Sequence, residues 1–147
     1  MSGTIIIGAG QAGSAAAAKL RNLGYEGDIT LIGAETAPPY QRPPLSKKYM
    51  LGEMELERLY LRPIDFYETN NIILRLGTKV DAIDTTQRSI SVQGETLSYD
   101  NLILTTGSWP RRLPGKIGGD LAGVYSMRDL ADADAMADEF QEGRRTL

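Results

Sequence analysis

The hexapeptide Gly8-Ala9-Gly10-Gln11-Ala12-Gly13 fits G-x-G-x-x-G and is framed by two very different segments. Before it, Thr4-Ile5-Ile6-Ile7 is β-branched throughout and reads as a strand buried on both faces, as a parallel sheet requires. After it, Gln11 to Leu23 is alanine-rich and reads as a helix closed by Gly24. Asp28 to Ile32 is a second strand, so residues 1–32 predict one βαβ unit whose right-handed crossover sets its strands side by side. In that setting Gly8 permits the tight turn, and Gly10 lets the backbone approach an anion with no Cβ in the way. Gly13, with Ala17, lets the helix pack closely on the sheet, while its N-terminal amides and dipole face the anion. Glu35 stands about 20 positions further on, just past the second strand. A carboxylate there can accept from both hydroxyls of a ribose and would repel a 2′-phosphate. Strand, helix, second strand and acid together point to a dinucleotide. The alternative is that the glycines merely solve a packing problem in a strand-helix turn.

The pattern then changes. Residues 37–44, Ala-Pro-Pro-Tyr-Gln-Arg-Pro-Pro, hold four prolines and exclude regular structure. Leu45 to Leu51 reads as a short helix with Pro44 at its first turn, and Pro63 to Thr69 as another. Ile72 to Leu76 and Lys79 to Asp84 read as short strands, Arg88 to Gln93 alternates with Ile90 and Val92 inward, and Leu97 to Thr106 is strongly apolar at Leu102-Ile103-Leu104. Ser126 to Glu142 predicts a helix with Ser126 as N-cap, Asp129 three residues on and Gly143 past its end. Its Leu130, Ala133, Met136, Ala137 and Phe140 form a core stripe under a solvated acidic face. Arg144 to Leu147 reads as the approach to a further strand, so the chain is expected to be the N-terminal part of a longer protein.

Composition narrows the chemistry. The chain has no cysteine and no histidine, which removes disulfides, thiolate or imidazole metal ligands, dithiol redox centres and a Ser-His-Asp triad. No metal site is expected. A net charge of −3 argues against a nucleic-acid partner. Neither the N-terminus nor Ala15 to Ala18 is a targeting or membrane segment, so a cytoplasmic protein is expected. Chemistry must come from a bound cofactor, lysine, carboxylates or backbone.

Two later stretches add specificity: Pro-Tyr-Gln-Arg-Pro-Pro-Leu-Ser-Lys-Lys at residues 39–48, and Leu-Ile-Leu-Thr-Thr-Gly-Ser-Trp-Pro-Arg-Arg-Leu-Pro at residues 102–114. With the glycine loop, in this order and spacing, they resemble the N-terminal FAD-binding portion of the FAD-dependent ferredoxin reductases of bacterial oxygenase systems. Apoptosis-inducing factor is a related branch. The resemblance runs along essentially the whole chain. It implies an α/β, Rossmann-like FAD-binding domain over residues 1–147, with a central parallel sheet and a small antiparallel β insertion, stopping before an NADH-binding domain.

The resemblance also implies site residues. Gly8, Gly10, Gln11, Ala12, Gly13 and Glu35 would hold the pyrophosphate and adenosine ribose of FAD. Arg42 would lie near the pyrophosphate, and Val80 would meet the adenine through its backbone. Thr105-Thr106-Gly107 would pass close to the cofactor, and Arg128, in Ser-Met-Arg-Asp-Leu, would be a further contact. Lys47 would stand beside the flavin N5, where a cation stabilises the anionic reduced ring. The activity implied takes hydride from NADH onto FAD and passes electrons singly to a 2Fe-2S ferredoxin. Related acceptors are a rubredoxin, a nitrite reductase partner or monodehydroascorbate, and a non-catalytic dinucleotide-binding module is the other class. From the residues alone, Arg42 can also be read as a solvated loop charge, Lys47 with Lys48 as an exposed helix face, and Arg128 as a cap for local carbonyls. Arg111 and Arg112 read as a surface pair or a docking face, and Trp109 as core packing or a flavin-side aromatic. The glutathione-reductase-like relatives' redox disulfide has no counterpart, nor does the second G-x-G-x-x-G that binds NADH.

Overall fold

The computed structural model describes residues 3–140 and 143–145. The chain divides into two units, Met1–Tyr40 with Tyr60–Gly107, and Gln41–Leu59 with Ser108–Leu147.

The first unit is built on strand β1 (Gly3–Ile7), helix α1 (Gln11–Asn22) and strand β2 (Ile29–Ile32). Helix α2 (Asp65–Thr69) leads into β3 (Ile72–Arg75), followed by β4 (Val80–Asp84), β5 (Ser89–Val92) and β6 (Glu95–Leu104). They form one six-stranded sheet in the order β3-β2-β1-β6-β5-β4. β1 pairs in parallel with β2 and with β6, and β2 in parallel with β3. β4, β5 and β6 pair antiparallel. The antiparallel part is therefore continuous with the parallel sheet. The two halves of β6 serve both: Glu95 to Ser98 pair with β5, and Asn101 to Leu104 with β1. Gln93 and Gly94 both take positive φ, the geometry of a two-residue hairpin turn, and this sets Val92 opposite Glu95.

Side-chain alternation along β1 divides the core as the period of two requires. Ile6 faces α1 and α2 in a cluster with Ala17, Ile29, Leu31, Tyr67 and Ile72. Ile5 and Ile7 face the other way, against Ile32 and the antiparallel ribbon's Ile90, Val92 and Tyr99. Gly24 ends α1 as expected. Its amide bonds to Arg21 O (3.0 Å) and that of Tyr25 to Leu20 O (3.0 Å), the paired bonds of a Schellman cap. The Arg21 guanidinium then donates to four carbonyls, those of Tyr25, Gly27, Asn70 and Asn71. It ties the end of α1 to the turn between α2 and β3.

Ser14, buried on α1, lies 2.9 Å from the Tyr67 hydroxyl. Burial pushes the Tyr67 phenol above its ordinary value of 10.0, while the Ser14 hydrogen bond and the Arg62 charge act in the opposite direction. The stability this phenol contributes is complete below pH 10.0 and is lost as pH rises through the higher folded-state value. Ser14→Ala should cost about 1–2 kcal/mol by stranding that hydroxyl. Urea midpoints should fall above pH 10, and Tyr67→Phe should blunt that alkaline fall.

In the second unit, two expectations give way. The helix over Leu45 to Leu51 is broken: Ser46 and Lys47 have non-helical backbone (Lys47 φ −137°, ψ −117°). Pro43 and Pro44 have no N–H to give, and the remaining bonds mix spacings, with Lys47 N and Tyr49 N both reaching Pro44 O. The last helix, α3 (Leu130–Ala137), starts three residues later than expected. Asp129, not Ser126, is its N-cap, because Asp129 and Asp132 complete a reciprocal capping box. Ala133 is buried, but Phe140 lies beyond the helix and is 44% exposed, so it leaves the expected stripe. The expected helix end at Glu142 and the stretch Thr146-Leu147 lie outside the described residues. In the first unit, the helix expected from Pro63 begins at Asp65.

Candidate functional site

The carboxyl ends of β1, β2 and β6 converge on the glycine turn, at the edge of a parallel sheet where ligands of such sheets sit. Gly8 takes φ +113°, and a Cβ there would run into the Thr105 backbone. Its amide donates to Ile32 O at 2.8 Å, and its carbonyl accepts from Thr105 Oγ1 at 2.8 Å. The Thr105 amide and hydroxyl also reach Ile7 O, at 2.8 and 3.1 Å. The Thr105 side chain is thus engaged in clamping the turn. Thr106 follows it exposed, and Gly107 takes φ +72°.

The three motif glycines separate by environment. A Cβ on Gly13 would overlap Gly8 O and crowd Thr105 Oγ1 and Leu31 Cδ1, so this glycine is required by the fold. A Cβ on Gly10 would meet nothing within 4 Å, so the fold places no demand on it. Gly10 is the N-cap of α1, with no capping side chain and no acidic residue in the first turn, and Gln11 and Ala12 after it are exposed. The helix therefore offers its first amides outward, as an anion site needs. Gly33, absent from the motif, also matters. Its Cβ would come within 2.6 Å of Ala9 Cβ, a close approach of β2's turn to the loop that local spacing gave no sign of.

Glu35 lies half-buried on that turn. Its carbonyl accepts from Gly77 N (2.8 Å), and Gly33 O accepts from Thr78 N (2.8 Å). The same connection delivers Val80, half-buried at the start of β4 opposite Val92. The Tyr40 hydroxyl donates to Glu35 Oε2 at 2.5 Å. No expected role falls on Tyr40; an aromatic five residues past the acid, among prolines, is its one signal in the sequence. These residues fit a dinucleotide: an open cradle at Gly10 for the pyrophosphate and a fixed carboxylate one strand away for a ribose.

The second unit holds the expected cations. Arg42 Nη1 donates to Arg128 O at 2.5 Å, and Arg128 N to Asp132 Oδ2 at 2.7 Å. Arg128 is therefore held through its backbone, just ahead of α3. Its guanidinium has no hydrogen bond or ion pair among the described residues. Lys47 is exposed, with Nζ 3.1 Å from Pro43 O. Trp109 is 82% exposed, which removes core packing as its role, and Arg111 and Arg112 are exposed beside it. Among the described residues no acidic group forms a metal site, and no helix is long and apolar enough to cross a membrane.

A parallel sheet whose first strand turns through glycines into an uncapped helix defines the dinucleotide-binding class of α/β folds. The chain belongs to the pyridine nucleotide-disulphide oxidoreductase family, whose sequence profile matches residues 3–147. That family implies FAD and NAD(P)H as cofactors. The disulphide in its name has no residue here, since these 147 residues include no cysteine. The chain is 42% identical over 137 residues, 92% of its length, to a ferredoxin–NAD(P)+ reductase of Sphingomonas sp, covering 33% of it. It is 42% identical over 130 residues, 88% of its length, to a rubredoxin–NAD+ reductase of Pseudomonas putida, covering 34% of it. Among solved structures it matches the crystal structure of the covalent putidaredoxin reductase–putidaredoxin complex with a TM-score of 0.86 at 40% identity. That match covers 93% of this chain and 34% of the other. The chain spans about a third of the length of the curated relatives it matches.

Proposed function

We propose that this chain binds FAD and forms the FAD-binding part of an oxidoreductase that moves electrons from NADH to a 2Fe-2S ferredoxin. The observation that carries the reading is the contrast between Gly13, which the fold requires, and Gly10, which only a close ligand would require. The name of the Sphingomonas relative supports a ferredoxin and NAD(P) as the redox pair, and that of the putidaredoxin reductase complex supports flow toward the ferredoxin. In this reading residues 1–147 act as one FAD-binding domain. Gly8, Gly10, Gln11, Ala12 and Gly13 hold the pyrophosphate, Glu35 the adenosine ribose, and the Val80 backbone the adenine. Thr105 fixes the turn, and Thr106 and Gly107 border the cofactor. Arg42, Arg128 and Lys47 supply positive charge, Lys47 nearest the reactive flavin nitrogen.

Bound FAD supplies the exchange between a two-electron donor and one-electron acceptors. The chain's own part is to bind, orient and tune, and Lys47 favours the reduced, anionic ring by its charge. The same reading places the protein in the cytoplasm, with NADH and its ferredoxin.

Titration of the purified chain with FAD checks the proposal. Saturable quenching of flavin fluorescence at one FAD per chain is expected, and absence of binding would overturn it. NADH should leave the visible flavin bands of the loaded chain in place, since these residues contain no second glycine loop. The Pseudomonas putida relative favours a second reading in which the acceptor is a rubredoxin. Chemically reduced, FAD-loaded chain offered both acceptors separates the two by which one it reduces faster.

A further inference from the structure

We infer that Tyr40 is a positioning residue for the adenosine end of the cofactor, holding the Glu35 carboxylate in the orientation that meets a ribose diol. The inference rests on the FAD reading above. Glu35 is half-buried, and its backbone is fixed by the Gly77 amide on its carbonyl at 2.8 Å. A glutamate side chain has three rotatable bonds to order when a ligand binds. The Tyr40 hydroxyl restrains them by donating to Oε2 at 2.5 Å. An ionised carboxylate only accepts hydrogen bonds and has about four acceptor positions, so a phenol can hold it without using all of them.

Tyr40 suits this work because it is itself immobile. It is 5% exposed, follows the buried Pro38 and Pro39, and forms a β-bridge with Tyr60. Leu61 N bonds to Pro39 O at 2.9 Å and closes the same segment. The carboxylate is thereby oriented before the ligand arrives, and ordering done in advance raises affinity. This gives the front of the proline-rich excursion a purpose that no expectation assigned to it.

The test titrates wild type, Tyr40→Phe, Glu35→Ala and the double variant with FAD and with an FAD analogue whose adenosine ribose lacks both hydroxyls. Tyr40→Phe keeps the buried ring and removes only the donor. FAD affinity should fall about tenfold in Tyr40→Phe. Affinity for the analogue should stay within about twofold, and the substitution should add nothing in the Glu35→Ala background. The ratio of the two affinities is the decisive readout, because any loss of folded protein cancels in it. Unchanged FAD affinity in Tyr40→Phe, or an equal loss for both ligands, would overturn the inference and leave Tyr40 a packing residue. A wild-type chain that binds neither ligand would overturn the FAD reading and this inference with it. Wild-type binding that Glu35→Ala weakens and Tyr40→Phe does not would remove the inference alone.

Discussion

Gly13→Ala is expected to destabilise the chain by about 3 kcal/mol, at the upper end of overpacking costs, and to lower Tm by roughly 10 °C. The sign is the informative part. In the interior of an ordinary helix the same change stabilises by up to about 1 kcal/mol, because alanine restricts the unfolded chain and favours helical backbone. Here the added methyl would overlap Gly8 O and press on Thr105 Oγ1 and Leu31 Cδ1. Two of those three neighbours belong to the clamp that holds the turn, so relief by movement would break the bonds from Thr105 Oγ1 to Gly8 O and Ile7 O. FAD binding should be lost together with the stability. A thermal melt with and without FAD checks both, and a Gly13→Ala protein at least as stable as wild type would show that α1 sits less tightly than described.

Gly10→Asp should separate the two properties. Gly10 has φ −95° and ψ −164°, an extended backbone open to any residue, and a Cβ there meets nothing within 4 Å. Aspartate is among the best N-caps, and its charge suits a helix N-terminus, so the ligand-free chain should gain about 0.5 kcal/mol. The same carboxylate would occupy the amides proposed to hold the pyrophosphate and would repel it. FAD affinity should fall by at least about 100-fold, the effect of a close like charge in a partly desolvated site. The pair of measurements is a urea midpoint and an FAD titration on one protein. A midpoint held or raised with binding lost is the expected outcome; retained binding would place the pyrophosphate elsewhere.

The parallel core was legible because its signals are local. A run of β-branched residues, a glycine at the strand's end and an alanine-rich helix closed by Gly24 each dictate their structure within a few positions, and β1, α1 and β2 follow them. Ile90 and Val92 faced inward for the same reason, a period of two. The start of α3 was not legible, because Ser126-x-x-Asp129 and Asp129-x-x-Asp132 both fit a capping box. The carboxylate pair forms it, with Asp132 taking the amides of both Arg128 and Asp129. The break at Lys47 was hidden by the helix-compatible residues around it. Arg21 went unseen for another reason. Arg21 reaches carbonyls 49 and 50 positions away, and such partners leave no trace in local spacing. Within the glycine motif, the close packing expected at Gly13 is what its neighbours show.

The clamp on the glycine turn also bears on how the chain comes to be folded. Thr105 Oγ1 and Gly8 O are 97 residues apart in the chain. β1, the first strand to be made, is central in the finished sheet and lacks one neighbour until β6 has been made. On the ribosome the nascent βαβ unit therefore carries its glycine loop for many seconds at ordinary synthesis rates of roughly 5–20 residues per second, with no Thr105 to hold the turn. A cofactor that depended on that turn would arrive after the sheet is assembled. Its binding would then act on how slowly the finished protein opens and not on how fast it forms.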